Sequence, residues 1–230
     1  MTGLENNDIL VIGGGIGGLT MALSLHRRGI PCRVFETASD FQTLGVGINM
    51  MPHAIRVLST LGLEENLKRF GVEAKEFAYF NRHGQEIFTE PCGQFAGYKY
   101  PHFSIHRADL HRVLYEAAVD RLGPNAVCLG HTCIGVEQDA TGVTARFEDV
   151  PEQRGRIALA YDGFHSAVRR QFYPDEGAPQ FGGINMWRGV TRRKPFLTGA
   201  SVTRVGTIKI GKMVVYAIRN FDDGTQLINW

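Results

Sequence analysis

An α/β fold is expected, with a parallel sheet near the start of the chain and an antiparallel sheet after it. Three observations lead there. Residues 8–36 read as strand, glycine turn, helix, strand. A long amphipathic helix lies near the middle of the chain. After about Pro174 the helical period vanishes and short β-rich runs separated by turns replace it.

Residues 8–12 form a short apolar strand and residues 13–18 a glycine turn. Residues 19–28 carry Leu19, Ala22, Leu23 and Leu25 at helical spacing, then basic residues before Gly29, a cationic last turn with a glycine stop. Residues 32–36 form a second strand, and the short links imply a parallel pair with a right-handed crossover. Residues 52–70 read as helix broken near Gly62, and residues 77–89 as a hairpin turning at His83-Gly84. Leu110, Val113, Leu114, Ala117, Ala118 and Leu122 place a helix on residues 107–122. Strands are expected at 126–129, 133–138, 143–148 and 157–161, and a short helix at 163–171. Strands at 184–190, 202–205, 207–210, 213–218 and 226–230 would build the antiparallel sheet. The chain ends within the last of them, which leads to the expectation of a C-terminally truncated protein.

At 230 residues the chain is long enough for a real hydrophobic core. With 25 basic against 23 acidic residues and no basic stripe, no nucleic-acid partner is expected. Cys32, Cys92, Cys128 and Cys133 form no C-x-x-C pair, so reduced thiols are expected and a metal site is not. The apolar run 9–25 is flanked by Glu5 and Asp8 and interrupted by five glycines, unlike a signal peptide. No stretch is long and apolar enough to span a bilayer, and a cytoplasmic location is expected, with no membrane partner. Oligomeric state is not readable.

The chemistry concentrates at Gly13-Gly14-Gly15-Ile16-Gly17-Gly18. Gly13, Gly15 and Gly18 satisfy G-x-G-x-x-G. The first glycine permits the sharp turn, the second the approach of a pyrophosphate, and the third close helix–strand packing. The free N–H groups and dipole of the helix that follows favour phosphate charge. Glu36, twenty-three positions after Gly13, ends the second strand, where an acidic residue accepts hydrogen bonds from ribose hydroxyls and repels a 2′-phosphate. This fingerprint admits FAD or NAD and does not separate them.

Two further motifs bear on that choice. Ile105-His106-Arg107-Ala108-Asp109-Leu110 opens the long helix, and Ala160-Tyr161-Asp162-Gly163-Phe164-His165-Ser166-Ala167-Val168-Arg169 follows a late strand. With the glycine fingerprint they resemble the three N-terminal signatures of the flavoprotein aromatic hydroxylases, the family of salicylate and para-hydroxybenzoate hydroxylases. Leu44-Gly45-Val46-Gly47-Ile48-Asn49, Tyr100-Pro101, Gly183-Ile184-Asn185-Met186-Trp187-Arg188-Gly189-Val190 and Ile228-Asn229-Trp230 are similar to its methylphenazine-carboxylate branch. The resemblance runs over essentially the whole chain.

It implies a Rossmann-like FAD-binding domain over residues 1–174, with an inserted hairpin segment at about 72–104 contributing to the substrate side, and a partial antiparallel substrate-domain sheet over 175–230. It implies FAD as cofactor, NADH or NADPH as co-substrate, and hydroxylation of a small aromatic or heteroaromatic acid by oxygen. Gly13, Gly15, Gly17, Gly18 and Glu36 would hold the dinucleotide. Arg107 would reach the FAD diphosphate or ribityl region, where a planar guanidinium fork suits phosphate. Asp162 would serve flavin and nicotinamide. Gly47 and Ile48 would lie beside the flavin ring, and Trp187, expected with Arg188 on the substrate-domain sheet, is the candidate substrate residue. The cofactor carries the hard chemistry, so no acid–base residue is nominated. The family usually carries Gly-Ala or Gly-Cys before Asp-Gly, where this chain has Ala160-Tyr161, and its second flavin signature, Gly-Asp-Ala, would fall beyond residue 230. A fragment or pseudoenzyme that binds FAD without turnover, and another FAD oxidoreductase of the same fold, stay open.

Overall fold

Ile9–Ile12 (β1) is apolar throughout, and Leu10, Val11 and Ile12 are buried on both faces, the pattern of a strand inside a parallel sheet. The computed structural model describes residues 8–40 and 45–230; Glu5 and Leu44 lie outside the described residues. After β1 come α1 (Ile16–His26), β2 (Cys32–Phe35), β3 (Gly47–Met50), α2 (Pro52–Thr60), α3 (Glu64–Phe70), β4 (Val72–Ala74), β5 (Glu76–Phe80) and β6 (Glu86–Pro91). A 3-10 turn (Gly93–Ala96) leads to β7 (His102–His106) and α4 (Arg107–Leu122). The chain continues through β8 (Val127–Cys128), β9 (Cys133–Asp139), β10 (Gly142–Phe147), β11 (Gln153–Gly155), β12 (Ile157–Ala160) and α5 (Ala167–Phe172). It ends in β13 (Val190–Arg193), β14 (Ser201–Thr207), β15 (Gly211–Asn220) and β16 (Gln226–Asn229).

The chain divides into two units, residues 1–42 with 114–184 and residues 43–113 with 185–230. In the first, β12-β1-β2-β8 form a parallel sheet. Leu10 and Ile12 meet Val136, Val143, Ala145 and Phe147 of an antiparallel sheet, β11-β10-β9, together with Val168 of α5. Val11 faces the other way, toward α1 at Gly18. Each such side chain stabilises the fold by about 1.5–3 kcal/mol when fully buried.

In the second unit, six strands run in the order β13-β16-β15-β14-β5-β6. The β5–β6 hairpin, read from the sequence, joins this sheet at its edge. A second sheet, β3-β7-β4, is antiparallel. Ala74, Phe77, Cys92, Val202, Tyr216 and Ile218 pack as one cluster.

The helix at 107–122 is observed with the expected limits, and the break in residues 52–70 falls at Gly62, which has φ +70°. Other expectations need correction. The helix expected at 163–171 begins only at Ala167, because Ser166 caps it by accepting the Arg169 N–H at 2.8 Å. The strand expected at 184–190 is absent: residues 184–188 are exposed and unladdered, and pairing starts at Val190 against Asn229. Trp187 is therefore not on the sheet. The two strands expected at 202–205 and 207–210 are one strand and a turn, since Gly206, with φ +74°, tightens the hairpin into β15. The sheet is antiparallel except where β14 runs parallel to β5. Strands β3, β4, β7 and β11 were not expected. In β7 four of five residues are buried, polar and apolar alike, so no alternation betrays it.

Candidate dinucleotide cradle

The glycine loop is built by three close approaches. Gly13 takes φ +106°, and a Cβ there would come within 2.6 Å of the Tyr161 carbonyl carbon. Both facts exclude a side chain. Its N–H donates to the Phe35 carbonyl at 2.7 Å, and the Tyr161 N–H donates to the Ile12 carbonyl at 2.7 Å, so the turn is tied to both neighbouring strand ends. A Cβ on Gly18 would overlap the Gly13 carbonyl oxygen, which is how closely α1 rides on β1. A Cβ on Gly17 would lie 3.0 Å from Tyr161 Cδ1, so the ring of Tyr161 rests on the first turn of α1.

Gly15 differs. It caps α1 with ordinary extended backbone, φ −69° and ψ −178°, and a Cβ there would meet no atom of the described residues within 4 Å. Among the described residues no side chain caps this helix. The absent side chain keeps clear the space in front of the helix N-terminus, where N–H groups and the dipole attract an anion.

Glu36 borders this space. Its Oε2 accepts the Gly14 N–H at 2.6 Å and its Oε1 accepts the Ala38 N–H at 2.9 Å. A carboxylate has about four lone-pair positions, so two remain for hydroxyl donors. Sequence spacing gives Glu36 one task, and the structure adds another, holding the glycine loop to the end of β2.

Asp162 follows β12. Its Oδ2 accepts the Val168 N–H at 3.2 Å, at the start of α5. Arg169 donates to the Phe164 carbonyl at 2.6 Å and to Glu176 at 2.8 Å, closing the loop. With Tyr161, Ser166, Phe172 and Tyr173, Asp162 lines an open cleft of about 720 Å³.

In the second unit Gly47 and Ile48 lie on β3 and Arg107 opens α4. Gly47 is tightly enclosed: a Cβ would lie 2.7 Å from Ile218 and Tyr216 and 2.8 Å from Asn229 Cβ. Asn229 Oδ1 accepts the Gly47 N–H at 2.7 Å, and the Arg188 guanidinium donates to the Gly47 carbonyl at 2.6 Å. Burial pushes the Tyr216 hydroxyl up in pKa, and the nearby Arg188 opposes that. The Arg107 N–H donates to the Val46 carbonyl at 2.9 Å, and its side chain is exposed. Asp109 is buried and paired with Arg219 and Arg112. Trp187 is 81% exposed.

Asn229 and Arg188 lie in stretches that carry the family resemblance, but no sequence signal ties either of them to Gly47. Tyr216 carried no signal at all. Their proximity arises from the β15–β16 pairing, in which Tyr216 lies opposite Asn229.

A family described as FAD binding domain matches residues 6–197. The phenazine 1,6-dicarboxylic acid hydroxylase of Lysobacter antibioticus is 36% identical over 239 residues, covering 100% of this chain and 59% of that protein. A 3-amino-4-hydroxybenzoate 2-monooxygenase of Streptomyces platensis is 38% identical over 197 residues, covering 83% of this chain and 48% of that one. The chain thus spans about half to three fifths of these curated relatives. The solved structure of 2,6-dihydroxypyridine-3-hydroxylase from Arthrobacter nicotinovorans shares the fold, with a TM-score of 0.76 at 23% identity over 98% of this chain and 56% of that one.

Proposed function

The chain belongs to the FAD binding domain family, and from that premise we propose that it is the flavin-holding part of an FAD-dependent monooxygenase acting on an aromatic or heteroaromatic acid with NADH or NADPH and oxygen. The observation that carries this reading is the cradle around Gly15. The loop is pinned on three sides, its face toward the helix N-terminus is left clear, and a carboxylate stands at its rim. Those features suit a diphosphate joined to an unphosphorylated ribose.

The residues divide the work. Gly13 and Gly18 set the turn, Gly15 lets the diphosphate approach, Gly17 offers its backbone N–H from the first turn of α1, and Glu36 receives ribose hydroxyls on its remaining lone pairs. Arg107 offers its exposed guanidinium to phosphate, Gly47 and Ile48 present backbone to the flavin ring, and Asp162 serves the flavin and the nicotinamide. Trp187 is proposed on the substrate side. The bound flavin supplies the redox chemistry and oxygen activation; these groups bind and orient it. Residues 1–174 are proposed as the FAD-binding domain, with residues 72–104 and 175–230 on the substrate side. A cytoplasmic location is supported by four free cysteines and by the finding that no helix among the described residues is long and apolar enough to cross a membrane.

The test starts with the visible spectrum of the purified chain after incubation with FAD and desalting. Stoichiometric flavin absorbance is expected. A colourless protein with native circular dichroism refutes flavin binding by this chain. NADH or NADPH oxidation is then followed with phenazine 1,6-dicarboxylic acid and 3-amino-4-hydroxybenzoate as probes, with and without oxygen. Oxygen-independent product formation refutes the monooxygenase reading.

A further inference from the structure

A polar row lies inside the second unit, on strands β3 and β7. Asn49 on β3 stands directly opposite Ser104 on β7, and His102 lies two residues along β7, on the same face by strand periodicity. Ser104 Oγ donates to Asn49 Oδ1 at 2.5 Å, and His102 Nε2 sits 3.4 Å from the same oxygen. Ser104 and His102 are buried, at 1% and 0% exposure, whereas Asn49 is only half-buried. His102 is enclosed by the Phe77 ring at 5.2 Å between centroids, and a Cβ on Gly93 would come within 2.5 Å of its backbone nitrogen.

Hydrogen-bond accounting orients the amide. Suppose Asn49 presented its NH2 inward instead. Ser104 and His102 would then each have to accept, and the Ser104 hydroxyl and the His102 Nδ1–H would be buried donors without acceptors among the described residues. With the oxygen inward, Ser104 and His102 Nε2–H both donate to it, and a single acceptor, His102 Nδ1, is left unpaired. Orphaned buried donors are the rarer and costlier arrangement. Burial together with the Arg204 charge lowers the His102 pKa to about 4, so the ring is neutral at pH 7 and has only one N–H to give. The oxygen of Asn49 is therefore held from behind. Its Nδ2 amino group has no partner among the described residues, on a side chain that is not buried.

We propose that Asn49 is a specificity-determining residue that donates its amide N–H to an acceptor atom of the aromatic substrate, and that Ser104 and His102 are positioning residues that fix this donor. The acceptor is a carboxylate oxygen, a phenolate oxygen or an unprotonated ring nitrogen. The inference rests on the proposed function.

Asn49→Asp keeps an oxygen facing Ser104 and His102 but turns the outward donor into a charged acceptor. With the FAD-loaded chain, phenazine 1,6-dicarboxylic acid and 3-amino-4-hydroxybenzoate are titrated while the flavin absorbance spectrum is followed. Asn49→Asp is expected to weaken the probe that the unsubstituted chain binds by roughly 10- to 100-fold, the size of a lost hydrogen bond to a charged group. Its flavin content should stay unchanged. Ser104→Ala should weaken the same probe several-fold and Ser104→Thr, which keeps the hydroxyl, should restore it. Nitrogen-15 spectra of the histidine rings should show His102 protonated at Nε2 and not at Nδ1, a readout that needs no variant to fold. Equal probe affinity in Asn49→Asp, flavin loss in that variant, no response to either probe by the loaded unsubstituted chain, or an Nδ1–H tautomer each overturns the proposal. Failure of the unsubstituted chain to take up FAD overturns instead the function on which it rests.

Discussion

Gly15 and Gly18 stand three residues apart in one motif, and the structure gives the same substitution opposite consequences at the two positions. At Gly18 an added methyl overlaps the Gly13 carbonyl oxygen and also reaches Val11 Cγ1 at 3.4 Å. The obstacle is backbone, so α1 has to move away from β1. Forced overpacking of this kind costs about 1–3 kcal/mol or more, which lowers the melting temperature by roughly 2–4 °C per kcal/mol in a protein of this size. At Gly15 the backbone angles are open to alanine and the methyl meets nothing among the described residues. Alanine is a poorer N-cap than glycine by several tenths of a kcal/mol or more, and the loss of unfolded-state freedom returns about 0.4–1 kcal/mol. The two terms nearly cancel. A diphosphate, however, would be pushed off the helix N–H groups. Losing one charge-assisted hydrogen bond costs about 1.5–3 kcal/mol, which is roughly a 10- to 100-fold rise in Kd. Thermal unfolding by circular dichroism and FAD titration by flavin fluorescence read the two effects separately. Gly15→Ala should keep its Tm and lose affinity, while Gly18→Ala should lose Tm. If Gly15→Ala binds FAD like the unsubstituted chain, or melts as early as Gly18→Ala, the cradle has been misread.

Three other outcomes follow from contacts already described. His102 has a folded pKa of about 4, depressed from 6.5, so its contribution to stability is complete above pH 6.5 and is lost as pH falls toward 4; the loss should be roughly 2–3 kcal/mol by urea unfolding at the two pH values, and a His102→Phe chain with the same pH slope would sink this assignment. Gly17→Ala should be held back by the Tyr161 ring 3.0 Å away, and should gain about 0.5–1 kcal/mol of helix stability once Tyr161→Ala is also present; additive melting data from the two variants would deny the coupling. Asn229→Ala strips the buried Gly47 N–H of its acceptor and should cost about 1–3 kcal/mol in denaturant unfolding, and a midpoint within error of the unsubstituted chain would show that another acceptor takes over.

Local chemistry carried much of the fold. Strand β1, the glycine turn and α1 were legible because an apolar run, a G-x-G-x-x-G spacing and a basic last turn each depend on neighbours in sequence, although α1 runs from Ile16 to His26 rather than over 19–28, its first turn taking in Gly17 and Gly18. Helix α4 was legible for the same reason, since its apolar side chains recur at helical spacing within one element. The candidate residues Gly13, Gly15, Gly18 and Glu36 lie around the glycine turn, the start of α1 and the position just after β2, places that their spacing in sequence already marks.

What spacing could not supply were facts that depend on two distant segments meeting. Glu36 holding the Gly14 N–H, Tyr161 lying on Gly17, and Arg188 with Asn229 gripping Gly47 join residues 22 to 182 positions apart. Strand pairing decides those meetings, and pairing is a property of the whole sheet rather than of any window in the chain. The parallel β14–β5 junction and the doubly buried β7 escaped for that reason: a strand enclosed on both faces loses the alternation by which it would be read, and its partners are chosen by tertiary packing alone.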